Sequence, residues 1–289
     1  MALRNVRDFV NAEVDGQTWL TTWRKTPTQT TTNGIWFDLS TSPGNPVPNY
    51  YAATPNVATA LKQSIDGGIY HGGAVKQLGF KKYVKSFLAL ASSTSSVPLP
   101  LILCDYLLFY PFVDMSLTDA QAMTNTVTLP RATTGKGVQI MAVVVAAQSG
   151  SGNPKFVVNY TNSLGVSNRQ TPSVATNSQA VAGTIITTER ALNSSAGPFL
   201  PLQAGDVGVR TIDSVTFLTA DIGRLAFVLV LPIENHIIRA ADAPAERVPF
   251  SDFSYLPTIE DDAYLNFLCC SNNNISGPAL HGILQVVWA

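Results

Sequence analysis

Apolar side chains recur at every second residue through much of the chain after residue 80, and this period constrains the fold more than any other feature. In KFVVNYT, Phe156, Val158 and Tyr160 share one face, while the polar Asn159 and Thr161 share the other. Alternation of this kind is typical of a half-buried β-strand. The same period occurs in TVTLP (126–130), in GVRTIDSVTF (208–217) and in ILQVVW (283–288), and turn-forming clusters such as TTGKG, QAGD and TADIG lie between such runs. Short strands separated by turns predict an all-β chain whose body is an antiparallel β-sandwich or jelly-roll-like barrel.

Three longer apolar runs predict strands that are buried on both faces. Two of them are IMAVVVAA (140–147) and RLAFVLVLPI (224–233). The third, LPLILCDYLLFYPFVDMS (99–116), has an uninterrupted apolar core that is shorter than the ~20 residues of a membrane-spanning helix. Asp105 at its centre would also be costly in lipid, so we interpret it as a buried strand bent near Pro100 and Pro111.

The first 80 residues lack this period and predict a separate region. Residues 22–55 contain five prolines and a Thr-rich run, which favour extended backbone over helix. One short helix is predicted at residues 56–65, with Asn56 as its N-cap and the DGG of residues 66–68 as its end. The predicted organisation is therefore an extended Pro/Thr-rich N-terminal arm (1–80), draped over its own body or a neighbouring subunit, and a β-sandwich body (81–289).

The chain is poor in charge. It has 18 Lys and Arg and 19 Asp and Glu, so 13% of its residues are charged, compared with about 25% in typical proteins. Charged residues are depleted from the core of protein interfaces, so this composition favours a subunit packed against neighbours, with an ordinary charge-poor β protein as the alternative. The net charge of −1 argues against binding nucleic acid or an anionic membrane through bulk electrostatics. A charged N-terminus without a long apolar run predicts no secretory leader, and three cysteines fit synthesis in a reducing cytoplasm.

Several residues are candidates for a chemical site. Asp105 could act with the EDDAY carboxylates (260–264) or Asp114 in glycosidase-type chemistry, but a structural carboxylate that accepts backbone hydrogen bonds is the favoured interpretation. His71, between two glycine pairs, lacks the other ligands of a zinc site, and the adjacent Cys269 and Cys270 are expected to be buried thiols. No motif of a catalytic, metal or cofactor site is present, so we predict a protein that is not an enzyme and holds no cofactor.

Six segments resemble a family of tailed-bacteriophage proteins found beside virion structural genes. They are NGIWFDLSTSPGNPVPNYY, LPLILCDYLLFYPFVDMS, NTVTLPR, GPFLPLQAGDVGVRTIDSVTF, DDAYLNFLCC and GPALHG, which together extend from Gly34 across nearly the whole chain. The resemblance implies a structural component of the virion, and it implies no catalytic residue.

Together these observations predict a capsid decoration or cement subunit, located in the virion after synthesis in the host bacterial cytoplasm. Its expected partners are the major capsid protein and copies of itself, with a trimer among the forms considered, and neither nucleic acid nor membrane. The candidate interface residues are the aromatic side chains of the first 80 residues, because aromatic residues dominate interface hot spots: Trp19, Trp23, Trp36, Tyr50 and Tyr51. The alternatives are a tail, neck or baseplate component, and a glycan-binding module on the virion surface.

Overall fold

The structure is a computed structural model that describes residues 3, 6–74, 80–149, 154–176, 181–186, 197–241, 243–249 and 256–289. Within them the helices are α1 (Val6–Val14) and α2 (Gln63–Asp66), with short 3-10 turns at Leu39–Thr41 and Thr94–Ser96. The strands are β1 (Thr18–Lys25), β2 (Ile35–Asp38), β3 (Gly44–Asn45), β4 (Thr59–Ala60), β5 (Lys82–Ala91), β6 (Leu99–Asp114), β7 (Gln121–Ala122), β8 (Gln139–Ala146), β9 (Lys155–Asn162), β10 (Arg169–Gln170), β11 (Val174–Ala175), β12 (Val209–Phe217), β13 (Arg224–Ile238), β14 (Ala245–Arg247), β15 (Thr258–Ile259), β16 (Leu265–Ser271) and β17 (Leu280–Trp288). Strands pair antiparallel throughout these sheets, which confirms the predicted all-β class.

A central sheet has the strand order β2-β16-β6-β13-β8, with β4 also paired to β6. The central pair of this sheet is the long pair β6–β13, in which Leu99 lies opposite Ile238 at one end and Asp114 lies opposite Arg224 at the other. Residues 183–186 bridge its two edge strands, through Thr184 opposite Phe37 of β2 and Ile185 opposite Val143 of β8. This segment closes the central sheet into a cylinder, so neither of its edges is left open at these positions.

Both faces of the central sheet are buried, as the apolar runs at 140–147 and 224–233 predicted. Met141, Val143 and Val228 pack inside the cylinder with side chains from β6 and β16. Their neighbours Ile140 and Phe227 face outward into a second cluster. The stretch 99–116 is confirmed as a buried strand, since β6 (Leu99–Asp114) covers most of it. Breaks in the pairing register along β6 change the face that successive residues occupy.

Two flanking sheets pack on the outside of the cylinder. The first has the order β14-β5-β17-β1-β3, with β15 paired to β5, and its core includes Trp23, Phe87 and Leu284. The second has the order β10-β9-β12-β7, with β11 paired to β9. In this sheet the alternation predicted for β9 and β12 is confirmed, because the following side chains point into one cluster: Phe156, Val158, Tyr160, Val209, Val215 and Phe217.

The first 80 residues differ from the extended arm expected of them. β1 lies between β17 and β3, β2 pairs with β16, and β4 pairs with β6, so this segment contributes strands to two sheets and the hydrogen bonding shows no boundary at residue 81. The reason is long-range pairing: β1 joins the last strand of the chain, and a local pattern carries no information about that partner.

Two local predictions were wrong. The helix predicted at residues 56–65 is reduced to Gln63–Asp66, because Asn56 has a positive φ of 60° and the following residues run extended into β4. Its predicted end is confirmed, since Gly67 caps it with a φ of 94° that favours glycine. Residues 126–130 form no strand, and α1 was not predicted.

Candidate assembly surface and buried polar networks

β1 has one fully paired side and one largely unpaired side. It pairs with β17 along its whole length, from Thr18 opposite Val287 to Lys25 opposite Leu280. On the other side β3 covers only Arg24 and Lys25. Among the described residues, no strand pairs with Thr18–Thr22 on that side, and we call this segment the free edge.

Apolar side chains flank the free edge on both faces of the sheet. Trp19 is 42% exposed and Leu20 is 53% exposed, and adjacent residues of a strand point to opposite faces. The ring of Trp19 meets that of Tyr70 edge-on, with centroids 5.3 Å apart, and Tyr70 is itself 43% exposed. A partner that approached the free edge would therefore meet apolar contacts above and below it.

The five predicted interface aromatics fall into different environments. Trp19 and Tyr50 are exposed, Trp36 is half-buried against the interior of the cylinder, and Trp23 and Tyr51 are buried. The prediction that Trp23 and Tyr51 are interface anchors is therefore corrected. Both residues pack into the chain's own β body instead.

Trp23 is buried because the strand opposite it carries a glycine. It pairs with Gly282 of β17, and its indole packs on Phe267 and Phe87 with ring centroids 4.4 and 6.3 Å away. A Cβ on Gly282 would lie 2.9 Å from the indole Nε1. The space left by the missing side chain therefore admits the indole to the core.

Tyr51 is buried because its hydroxyl donates a hydrogen bond to Asp38 inside the cylinder. The other Asp38 oxygen accepts from the Tyr106 hydroxyl at 2.6 Å, and the backbone N–H and hydroxyl of Ser40 also donate to this carboxylate. Burial raises the pKa of Asp38, although these hydrogen bonds act in the opposite direction, and burial also raises the pKa of Tyr51 well above its usual value. The network ties β2 to β6 and to the segment of Tyr51, and its buried position suits structural support.

Lys25 is a second buried charge close to this network. Its Nζ donates to the carbonyl oxygens of Ser42 at 3.1 Å and Pro46 at 2.7 Å, which holds the segment around β3 against β1. Burial lowers the Lys25 pKa to about 8, with the Asp38 carboxylate opposing that change.

Asp105, the acid at the centre of β6, forms a buried ion pair with Arg131. Arg131 Nε lies 2.8 Å from one carboxylate oxygen, and Nη2 lies 2.7 Å from the other. Tyr264 N–H also donates to Asp105 at 3.0 Å, as expected for a structural carboxylate. Burial raises its pKa to about 6, against the opposing effect of Arg131. The EDDAY segment does reach Asp105, but both carboxylate oxygens are occupied and the side chain is 2% exposed, so no substrate contacts it in this arrangement.

Arg131 was not predicted from the sequence, and neither were Asp38 and Lys25. Arg131 Nη2 also donates to the carbonyl oxygens of Leu61 and Tyr106, both at 3.0 Å. β6 pairs with β4 in one part of its length and with β16 in another, and these hydrogen bonds lie where the first pairing ends and the second begins. The arginine between TVTLP and TTGKG belongs to no periodic pattern and no motif, so the sequence gives no indication of this role.

His71 is fully buried, as expected of a packed side chain. Its Nδ1 lies 2.9 Å from Lys82 Nζ, and its Nε2 lies 3.1 Å from the carbonyl oxygen of Ala263. Burial, together with the charge of Lys82, lowers the His71 pKa to about 4, so the ring is neutral at pH 7 and accepts from Lys82. This contact joins the glycine-rich loop to β5 and to the loop before β16.

The described residues form neither a cluster of metal ligands nor a membrane-spanning helix, and both adjacent thiols are at least half-buried. No cluster of three His, Cys, Asp or Glu side chains in them is arranged to hold a metal ion. Cys269 is buried and Cys270 half-buried, both are free thiols, and burial raises the pKa of each. No helix among those residues has both the length and the apolar character needed to cross a bilayer.

Comparison with known proteins adds no functional assignment to this geometry. No protein-family model matches the chain, and no curated protein sequence matches it.

Proposed function

We propose that this chain is a structural subunit of a bacteriophage virion, most specifically a decoration or cement protein that stabilises the head lattice by protein–protein contacts. The proposal rests on the sequence resemblance to tailed-phage proteins. The observation that carries its mechanism is the set of exposed apolar and aromatic side chains at β1 and beside it, on a chain with few charges.

The contacts expected of such a subunit are apolar and neutral. Trp19 and Tyr70 lie together on one face of the free edge and Leu20 lies on the other face, while Tyr50 is 60% exposed elsewhere on the chain. Partly exposed aromatic side chains of this kind are common interface anchors. Two or more modest contacts on one lattice gain affinity from their high effective concentration, which is how a small subunit can hold several capsid proteins together.

The test is cosedimentation of purified protein with heads of the encoding phage that were assembled without it. We expect saturable binding, weakened by about tenfold or more, or about 1.4 kcal/mol, when Trp19 or Tyr50 is replaced by Ser. Leu164→Ser is the matched control, since Leu164 is 80% exposed in the turn between β9 and β10 and is not part of these contacts. Failure to bind heads refutes the decoration role, and binding to purified tails instead favours the tail, neck or baseplate alternative.

A cleft beside Tyr50 favours the second candidate, a glycan-binding role on the virion surface. Its volume is about 140 Å³, and Gln29, Thr41 and Ser42 line it together with the Tyr50 ring. The Ser42 hydroxyl is buried there and has no hydrogen-bond partner among the described residues. An exposed tyrosine beside polar side chains suits a sugar, so glycan-array binding that Tyr50→Ala abolishes would support this role.

A further inference from the structure

We propose that the free edge of β1 pairs antiparallel with the free edge of a second copy of this chain around a two-fold axis. The two first flanking sheets would then form one continuous sheet across the dimer. This inference uses the same surface as the proposed function, but it concerns the protein in solution and is tested without phage heads.

The backbone of the free edge has the geometry that such pairing needs. Gln17 C=O accepts from Trp288 N–H on the β17 side, whereas Thr22 C=O accepts from the Asn45 side chain on the opposite side. Because successive residues of an antiparallel strand alternate in direction, Thr18, Leu20 and Thr22 aim their N–H and C=O groups away from β17. Pairing with an identical edge would form up to about six hydrogen bonds.

The other edges of the two flanking sheets are protected in the ways that natural sheets use. β14 has three residues, includes Glu246 and Arg247, and follows Pro244. β3, β7 and β10 have two residues each, and residues 183–186 bridge the edges of the central sheet. β7 covers β12 only at Ser214 and Val215, but the uncovered part of β12 carries the charged Arg210 and Asp213. The free edge has five residues in a row without charge or proline. Natural sheets prevent edge-to-edge pairing by short edge strands, by charged residues or by prolines, and the free edge is protected in none of these ways.

The residue order of the free edge is complementary to that of an identical edge running antiparallel to it. We therefore assign a second copy of the chain as its occupant. Around Leu20, Thr18 and Thr22 are placed symmetrically, so antiparallel pairing centred on Leu20 opposes leucine to leucine and threonine to threonine. Cross-strand pairs of this kind stabilise a sheet. The register is limited at one end by the turn at Asp15–Gly16 and at the other by β3, so full overlap is reached only when Leu20 opposes Leu20.

Charges at the ends of the free edge are complementary in this register. Asp15 precedes the segment and Arg24 follows it, and both side chains are exposed. Antiparallel pairing brings the Asp15 end of each copy to the Arg24 end of the other. The same two charges would therefore attract at both ends of the dimer.

The first experiment measures the oligomeric state of the full chain by sedimentation velocity over a concentration series. We expect a monomer–dimer equilibrium whose dissociation constant rises at least about thirtyfold in Leu20→Lys, because a lysine at an edge opposes pairing. Leu164→Lys is the matched control and should dimerise like the natural chain, and circular dichroism verifies that both variants are folded. A natural chain that stays monomeric overturns the proposal, as does an oligomer that a folded Leu20→Lys leaves intact.

The second experiment tests the register by cross-linking in a Cys270→Ser background. Opposed residues of a hydrogen-bonded pair have Cα atoms about 5.5 Å apart, within the range of a disulfide, so Leu20→Cys should form a covalent dimer on mild oxidation. Thr22→Cys should not, because its copy lies four residues away along the strand, or about 13 Å. Cross-linking by Thr22→Cys but not by Leu20→Cys overturns this register. A dimer that passes both tests yet ignores phage heads would refute the decoration role alone.

Discussion

Replacing Arg131 by methionine should destabilise the chain strongly, because it leaves the Asp105 carboxylate buried without its charge partner. Arg131 donates two hydrogen bonds to Asp105 and one each to the carbonyl oxygens of Leu61 and Tyr106. After the substitution Asp105 keeps, among the described residues, only the hydrogen bond from Tyr264 N–H. Removing one partner of a buried ion pair costs about 3–5 kcal/mol, so we expect a loss of that size in urea unfolding at pH 8.

The loss should depend on pH in a direction set by the Asp105 pKa. That pKa is about 6 in the folded chain and about 3.9 in an unfolded one, so the folded state binds more protons between these values. Stability contributed by this group therefore falls as pH rises from about 4 to 6. Without Arg131 the folded pKa rises further, so the deficit of Arg131→Met should be largest at pH 8 and smaller at pH 5.

Two variants make this reasoning refutable. Arg224→Met removes a pair with Asp114 that is 4.0 Å long, with the Arg224 side chain 52% exposed, and it should cost less than about 1 kcal/mol. Arg131→Met combined with Asp105→Asn removes both charges and should recover part of the loss. A deficit below about 1 kcal/mol for Arg131→Met at pH 8, or an equal deficit at pH 5 and pH 8, would refute the argument.

Three further substitutions test the buried groups. Gly282→Ala should lower the urea midpoint by an amount equivalent to about 1–3 kcal/mol, because its Cβ would overlap the Leu88 carbonyl and press on the Trp23 indole. Lys25, with its pKa lowered to about 8, binds fewer protons in the folded than in the unfolded state up to about pH 10, so the stability that it contributes rises with pH up to that value. Lys25→Met should remove this rise when unfolding at pH 7.5 is compared with unfolding at pH 9.5. His71, with its pKa lowered to about 4, makes stability fall as pH drops below about 6.5, and thermal unfolding of His71→Asn from pH 7 to pH 5 should show a smaller fall.

Prediction from the sequence succeeded for features that depend on one strand alone, such as which of its faces is buried. The alternation in β9 and the double-sided apolar runs of β8 and β13 depend only on which faces of the strand are buried, and both predictions are confirmed. It failed where the partner is distant, because periodicity gives the face of a side chain but not the strand that it meets. The sequence pattern places β1 in an arm, because its partner, β17, lies at the other end of the chain. Tyr50 and Tyr51 have the same sequence context, yet one is exposed and the other buried, and only Asp38 inside the cylinder distinguishes them.

The buried charges also bear on the surface, and thus on the proposed assembly role. Of the 37 charged residues, at least five are buried in the described part of the chain: Lys25, Asp38, Lys82, Asp105 and Arg131. At most 32 (37 − 5) then remain for the surface, five fewer than if every charge were exposed. Surface charge of both signs normally keeps a protein from associating, so a chain with few charges that also buries some of them leaves an exterior suited to contact with neighbours. The free edge of β1, uncharged over five residues, is the place where we expect that contact to begin.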